Sequence, residues 1–339
     1  MVQVGLPINR IMKKVFILLA VFCLGFISCK EEPQTTTSTP ITKIPVKVPA
    51  FQGDSAFVFL EKQLAFGPRV PGSEGHIACR DWLIDKFEGY GAEVIAQDFT
   101  AVIHTGDNWP ATNIIAQYNP KHSDRVILSA HWDTRYIAEE DLDKSRQDDP
   151  IPGADDGGSG VAVLVEIARL LHENPIDLGV DIILWDAEDQ GKRGQNQPPQ
   201  LWCLGSQHWA RNKHKANYRA KYGINLDMVG AKNPRFGQDD FSRQYAGQLM
   251  DRVWSLAQRM GYSDMFVNDR TGPLVDDHYF INQLAQIPMI DIINQPRDSK
   301  TGFVGHWHTH GDDIDAIDKR TLRVVGQVVL KTIYSESEN

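Results

Sequence analysis

Ile182 to Gly191 reads I-I-L-W-D-A-E-D-Q-G, four apolar residues running directly into Asp186, Glu188 and Asp189. A continuous apolar run of this length fits a strand buried on both faces. In open parallel sheets, ligands gather at the carboxyl ends of such strands. Three further runs end in the same manner. Arg125–Ala130 passes into His131-Trp132-Asp133, Gly223–Leu226 into Asp227, and Ile287–Ile290 into Asp291. Between the first two strand candidates lies P-G-A-D-D-G-G-S-G, from Pro152 to Gly160, a glycine-rich turn that opens a helix. Its two central aspartates would repel a phosphate and suit a cation. The turn also lacks the lysine of a P-loop and the spacing of a dinucleotide loop. Late in the chain, F-V-G-H-W-H-T-H-G-D-D from Phe303 to Asp313 holds three histidines in five residues. Alone, each cluster reads as a solvated acidic turn or a His-rich surface loop. Together they bring oxygen and nitrogen donors to one sheet edge, which suits a catalytic zinc held by three protein groups with a fourth position open. Magnesium or calcium would want more oxygens and fewer imidazoles. No G-x-S-x-G elbow follows a strand, which disfavours serine catalysis.

The elements that must position these groups alternate along the chain. Helical patterns cover Asp54–Leu64, His76–Tyr90, Ser159–His172, Ser206–Asn212, Ser242–Met260 and Lys319–Tyr334. Strand patterns cover Glu93–Val102, Thr112–Tyr118, Arg125–Ala130, Gly179–Trp185, Gly223–Met228 and Ile287–Ile293. This alternation predicts an α/β three-layer sandwich, its central twisted sheet mostly parallel and covered by helices on both faces. The first two strands are expected to form an antiparallel pair, making the sheet mixed.

The chain has 339 residues, 42% of them hydrophobic and 23% charged, ordinary values for a globular protein with a full core. A net charge of -9 argues against nucleic acid as a partner. Four cysteines in a chain of this length do not make a disulfide scaffold, and whether Cys79 and Cys203 pair is open from sequence. Met12-Lys13-Lys14 followed by the apolar run Val15–Ile27 has the form of an export signal too short for a comfortable membrane span. Met12 is accordingly a candidate start. Ser28 directly precedes Cys29, which resembles a bacterial lipoprotein signal with Cys29 as the lipidated residue. Lys30-Glu31-Glu32 resembles a tag for the outer face of the outer membrane. The expected organisation is therefore a signal peptide over 1–28, a Thr/Pro-rich tether over 29–50, and a single catalytic α/β domain over 51–339. The expected location is the cell envelope, with membrane contact only through the lipid.

H-W-D, G-A-D-D-G-G-S-G, D-A-E-D, L-D-M-V-G, D-D-H and W-H-T-H-G-D-D, in this order, resemble the zinc-dependent exopeptidase superfamily of di-zinc aminopeptidases and glutaminyl-peptide cyclotransferases. The resemblance runs from about Phe66 to the C-terminus. Three features are similar to the cyclotransferase branch in its bacterial form. The segment Lys192–Cys203 intervenes before Leu204-Gly205-Ser206, Trp307 precedes the candidate ligand His308, and Asp227–Pro234 has the cyclase version of that strand end. The resemblance implies Asp156, Asp189 and His308 as zinc ligands and Glu188 as general acid and base. It places Asp227, Asp276 and Asp291 in a hydrogen-bonded catalytic network, and Trp202, Phe303 and Trp307 in the pocket wall. Asp276 and Asp277 remain alternatives for one network position.

Two residues depart from animal cyclases, which usually carry glutamate at the position of Asp189 and histidine at that of Asp291. In the aminopeptidases, His131 and Asp227 would hold a second metal; in the cyclases they are structural or network residues. The implied reaction is conversion of an N-terminal glutamine of peptides and proteins to pyroglutamate with release of ammonia, using one zinc per chain, with two left open. The alternative is a di-zinc aminopeptidase removing N-terminal residues. A non-enzymatic surface lipoprotein would have little use for the complete acid and histidine set. Oligomeric state is not legible in the sequence.

Overall fold

The computed structural model describes residues 47–194 and 197–338. The signal peptide and the tether as far as residue 46 lie outside these. In chain order the elements are α1 (Gly53–Leu64), α2 (Glu74–Gly89), β1 (Glu93–Val102), β2 (Asn108–Tyr118), β3 (Arg125–His131), α3 (Gly160–Glu173), β4 (Gly179–Trp185) and α4 (Leu204–Arg211). They continue with β5 (Tyr222–Asp227), β6 (Phe236–Gln238), α5 (Asp240–Arg259), β7 (Phe266–Arg270), α6 (Asp277–Phe280), β8 (Met289–Ile293) and α7 (Lys319–Ser337). Six strands form one sheet in the order β1-β2-β4-β3-β5-β8. β2 lies antiparallel to β1 and β4, whereas β4, β3, β5 and β8 run parallel. The mixed sheet expected from the apolar runs is the one observed.

Burial explains the order. β3 and β4 are buried at every position and occupy the centre, where side chains on both faces need cover. β1, whose residues are exposed or half-buried except for Ala101, sits at the edge. Because successive side chains point to opposite faces, each central strand feeds two cores. Val126, Leu128, Val180, Ile182, Ile224 and Ile290 join the larger cluster with residues of α1, α2, α3, α5 and α7. Ile115, Ile127, Ile183 and Met289 join Trp209 of α4 and Ile281 in the smaller one. Towards the strand ends this second face turns polar: Ser129 donates to Asn225 Oδ1 at 2.7 Å, and Asn225 lies opposite Asp291 in the β5–β8 register. A buried polar layer is thereby placed directly below the four charged strand ends.

Three features were not anticipated from sequence. β2 begins at Asn108, across Pro110, although proline demotes a strand. Pro110 pairs only with Thr100 of β1, and β4 joins β2 from Ile114 onward, so no ladder bond to β4 is asked of it. The parallel β6–β7 pair is too short to carry a period. The four-residue α6 is started by Asp276, whose carboxylate accepts from the Asp277 amide. Cys79 and Cys203 are both buried and free. Among the described residues, no helix is long and apolar enough to cross a membrane.

Candidate active site

Register brings His131, Asp227 and the turn after Trp185 to the same sheet edge. Within that turn the three acids separate by partner. Asp186 accepts from the Thr112 amide at 2.6 Å and meets His76 Nε2 at 2.8 Å, which makes it a structural anchor. Asp133, at the end of β3, accepts from the amides of Glu188 at 3.0 Å and Asp189 at 3.2 Å. That grip, with Ala187 at a left-handed φ of 53°, turns both side chains out of the sheet. The glycine-rich turn divides its two aspartates in the same manner. Asp155 accepts from the Gly230 amide at 2.7 Å and meets His306 at 3.0 Å, whereas Asp156 faces the strand ends. The Asp312 carboxylate accepts from both backbone amides, at 2.7 and 3.1 Å, and so fixes the turn. Gly157 sits at φ 88° against Asp133, where a Cβ would come within 2.2 Å of the carbonyl oxygen, so only glycine fits.

Asp156, Asp189 and His308 each offer a ligand atom within 4.8 Å of the others, and all three are buried. His308 Nε2 lies 2.9 Å from Asp189 Oδ1 and 3.8 Å from Asp156 Oδ2. Its Nδ1 meets Glu139 Oε1 at 3.0 Å, and Glu139 is held in turn by Arg135 at 2.7 Å. A carboxylate behind the imidazole fixes the tautomer that leaves Nε2 free to bind a metal. Asp156 Oδ2 and Asp189 Oδ2 are buried with no hydrogen-bond partner. Two uncompensated carboxylate oxygens beside an imidazole nitrogen are costly without a cation, and two oxygens with one nitrogen suit zinc. Burial first, then the nearby Asp156, pushes the Asp189 carboxyl up to about 6, against the pull of His308. A second group of donors, His131, Asp156 and Asp227, lies beside the first. There His131 Nε2 is 3.0 Å from Asp156 Oδ1 and hydrogen-bonded to Asp227 Oδ1 at 3.2 Å.

Glu188 lines a cavity of about 840 Å³ whose floor holds Asp156, Asp189, Asp227 and Asp276, and whose wall includes Trp202, Phe303, Trp307 and Leu274. The structure thus gathers every sequence-predicted site residue at this edge, with Asp291, His131 and His308 buried and outside the cavity lining. Of the two alternatives at the start of α6, Asp276 lines the cavity and Asp277 does not. Burial first, and the carboxylates of Asp189, Asp276 and Asp277 after it, raise Glu188 well above the ordinary carboxylate range, against the pull of His131. Asn225 donates to Asp276 at 3.0 Å and to Asp291 at 3.4 Å. Burial and then Asp276 push Asp291 well above its usual range, which favours its protonated form. Trp202 packs against Gly191, where any Cβ would collide with the indole, and stacks 6.2 Å from the His308 ring.

Several contributing residues had no sequence signal. Glu139 and Arg135 act across 169 and 54 residues of chain, from a loop without periodicity. Asp133 and Asp312 stood inside quoted motifs, yet nothing in the motifs marked them as amide acceptors. Cys203 also went unread. It sits at φ 57°, donates its thiol to Glu188 Oε1 at 3.2 Å, and donates its amide to the Glu188 carbonyl at 2.8 Å. Cys203→Ala is expected to lower kcat about two- to tenfold, the cost of one net hydrogen bond, with KM and metal content unchanged. Cys203→Ser should recover most of the loss; equal kcat in all three proteins, measured at saturating substrate, would remove this role.

A mixed sheet sandwiched by helices, with acid and imidazole donors at its parallel strand ends, defines an α/β metalloenzyme of the zinc exopeptidase class. The chain belongs to peptidase family M28, whose model matches residues 113–333. It is similar to a glutaminyl cyclase from Bacteroides thetaiotaomicron, with 44% identity, a TM-score of 0.82, and 85% of this chain and 99% of that one covered. A Zn-dependent exopeptidase from Parabacteroides distasonis gives 44% identity, a TM-score of 0.83 and the same coverage. An aminopeptidase of Bacillus subtilis is 26% identical over 83% of this chain, which spans only 57% of that protein's length. The Zn-dependent exopeptidase and the donor set agree on zinc as the metal.

Proposed function

We propose that this protein is a zinc-dependent glutaminyl cyclase, which converts the N-terminal glutamine of peptides and proteins to pyroglutamate. One observation carries the reading: a shielded carboxylate, Glu188, next in sequence to the candidate ligand Asp189, stands in an aromatic-walled cavity beside a three-donor metal site. Asp156, Asp189 and His308 would hold the ion. Zinc bound there supplies Lewis-acid polarisation of an amide carbonyl. The α-amine nitrogen of the substrate forms a bond to its own side-chain amide carbon, and the bond from that carbon to the amide nitrogen breaks. Glu188 takes the proton that the attacking amine loses and returns it to the departing nitrogen, which leaves as ammonia. Because the nucleophile is tethered to its target, no second metal is needed to generate hydroxide. Asp276 and Asp291, both bridged by Asn225, would orient the amine, while Trp202, Phe303 and Trp307 exclude water that would otherwise hydrolyse the amide.

We also assign one zinc per chain. Asp156 Oδ2 and Asp189 Oδ2 are buried without a hydrogen-bond partner, whereas the carboxylate peculiar to the second group, Asp227, is already hydrogen-bonded to His131 at 3.2 Å. The second reading, a di-zinc aminopeptidase, draws on the proximity of His131, Asp156 and Asp227. Purified protein assayed in parallel should release ammonia from a glutaminyl peptide, release no leucine from a leucyl substrate, and contain one zinc per chain by elemental analysis. Leucine release with two zincs would reverse the assignment. Export and lipid attachment at Cys29 belong to the same proposal, supported by Met12-Lys13-Lys14, the apolar run after it and the Ser28-Cys29 junction.

A further inference from the structure

The chain segment that leaves β8 forms a wall between two concavities. Ile293 and Phe303 face the active cavity, whereas Gln295, Pro296, Arg297, Ser299 and Gly302 line a separate groove of about 510 Å³. The remaining wall of this groove comes from β7 and the residue before β6: Arg235, Asp269, Arg270 and Thr271. In a chain of net charge -9, the lining holds three arginines and a single carboxylate. Arg235 and Arg297 both address the same oxygen of Asp269, Oδ2. Arg270 pairs with Asp240, at the first turn of α5, through Nε at 2.8 Å. One carboxylate oxygen cannot neutralise two guanidinium groups, each of which presents five donors. Burial, and then repulsion from Arg297, weigh against the charge of Arg235, which marks the pair as short of counter-charge.

The arrangement is also built rather than incidental. Arg235 donates its amide to Asn294 Oδ1 at 2.9 Å, its carbonyl accepts from the Gln295 amide at 3.0 Å, and its Nη1 reaches the Gln295 carbonyl at 3.4 Å. The guanidinium is thus tied to the strand end that carries Ile293 into the active cavity. Arg297 and Arg270 are 67% and 57% exposed along their side chains, so their unused donors face solvent at the groove.

We propose that this groove binds carboxylate side chains of the substrate polypeptide downstream of its N-terminal glutamine. The protein would then prefer glutaminyl peptides bearing aspartate or glutamate a few residues into the chain. This rests on the cyclase reading, in which a chain whose first residue occupies the cavity leaves it past the 293–303 segment, whose other side lines the groove. Guanidinium pairs match carboxylates by geometry as well as charge. Such exposed contacts act mainly on binding and encounter and weaken with salt.

The test compares three glutaminyl peptides of equal length, with acidic, neutral and basic downstream residues, against glutamine amide, which cannot reach the groove. The acidic peptide should show a kcat/KM about three- to tenfold above the neutral one at low salt, through KM, and the advantage should shrink at high salt. Arg270→Glu/Arg297→Glu should abolish or invert the preference while leaving glutamine amide turnover unchanged. Arg270→Gln/Arg297→Gln, a milder change, should reduce it. A direct measurement, anisotropy of a labelled acidic peptide already ending in pyroglutamate, reports groove binding independently of turnover. Equal kcat/KM for acidic and neutral peptides, or a preference that survives charge reversal, overturns the inference. Failure to cyclise glutamine amide would instead count against the cyclase reading, with the anisotropy experiment still deciding whether the groove takes carboxylates.

Discussion

Glu188→Gln is expected to lower kcat for a glutaminyl peptide by about 10²- to 10⁴-fold, the usual contribution of a positioned general acid and base. KM and zinc content should stay close to those of the unaltered protein. The substitution preserves volume and keeps an oxygen able to accept the Cys203 thiol, so the hydrogen bond at 3.2 Å has a counterpart. The backbone is unaffected as well, because Asp133 grips the amides of residues 188 and 189 rather than the Glu188 side chain. What disappears is the ability to carry a proton from attacking to departing nitrogen. Glu188 suits that task because it is only 13% exposed on its side chain, and burial together with neighbouring carboxylates favours its protonated form. Continuous ammonia release at saturating substrate, with elemental zinc analysis on the same sample, measures both quantities. A rate within threefold of the original would sink the assignment. A larger loss in Asp276→Asn than in Glu188→Gln would move the proton shuttle to Asp276, which lines the same cavity.

The legible part of this molecule is the part that depends on local pattern. Val126–Leu128 and Ile182–Leu184 are apolar on both faces, and that alone places them at the centre of a covered sheet. The glycine-rich turn was legible as a cation site because its two central acids would repel an anion, whereas the choice of Asp156 over Asp155 came only with the family resemblance. Side chains that act across long separations were not legible. Nothing between Arg135 and His308 announces that Glu139 will stand behind the imidazole, since their meeting depends on how the 303–313 loop folds over the strand ends. Cys203 is a similar case: its place depends on a left-handed backbone at the start of α4, which no residue type other than glycine signals well.

The aspartate at 291, where animal cyclases usually have histidine, acquires a physical account once its surroundings are known. His278 stands behind it, with Nδ1 3.8 Å from Asp291 Oδ2 and Nε2 3.2 Å from Asp239 Oδ1. An imidazole is therefore present in the network, one residue deeper. Burial and the nearby Asp276 favour the protonated form of Asp291, which leaves it able to donate where a histidine would have donated.

The metal ligands give the second large expected effect, and they separate one zinc from two. His308→Ala and Asp189→Ala should each reduce zinc from one per chain to near none and abolish measurable cyclisation. With two protein donors left, the site no longer has the three groups that catalytic zinc requires. Their thermal unfolding should also lose its dependence on added zinc, because a ligand stabilises only a fold that binds it. His131→Ala is the discriminating variant. Its imidazole lies between Asp156 and Asp227 and is not in the His308 group, so the one-zinc reading expects unchanged zinc content and a partial loss of rate. A di-zinc centre would instead start at two per chain and fall to one. Asp156→Ala belongs to both groups and should empty the site under either reading, which makes it the control for the measurement. Retention of one zinc per chain in His308→Ala would overturn the ligand assignment outright. The Glu139–Arg135 pair that supports the imidazole remains intact in that variant, so a loss of metal there reports the missing nitrogen rather than collapse of the loop behind it.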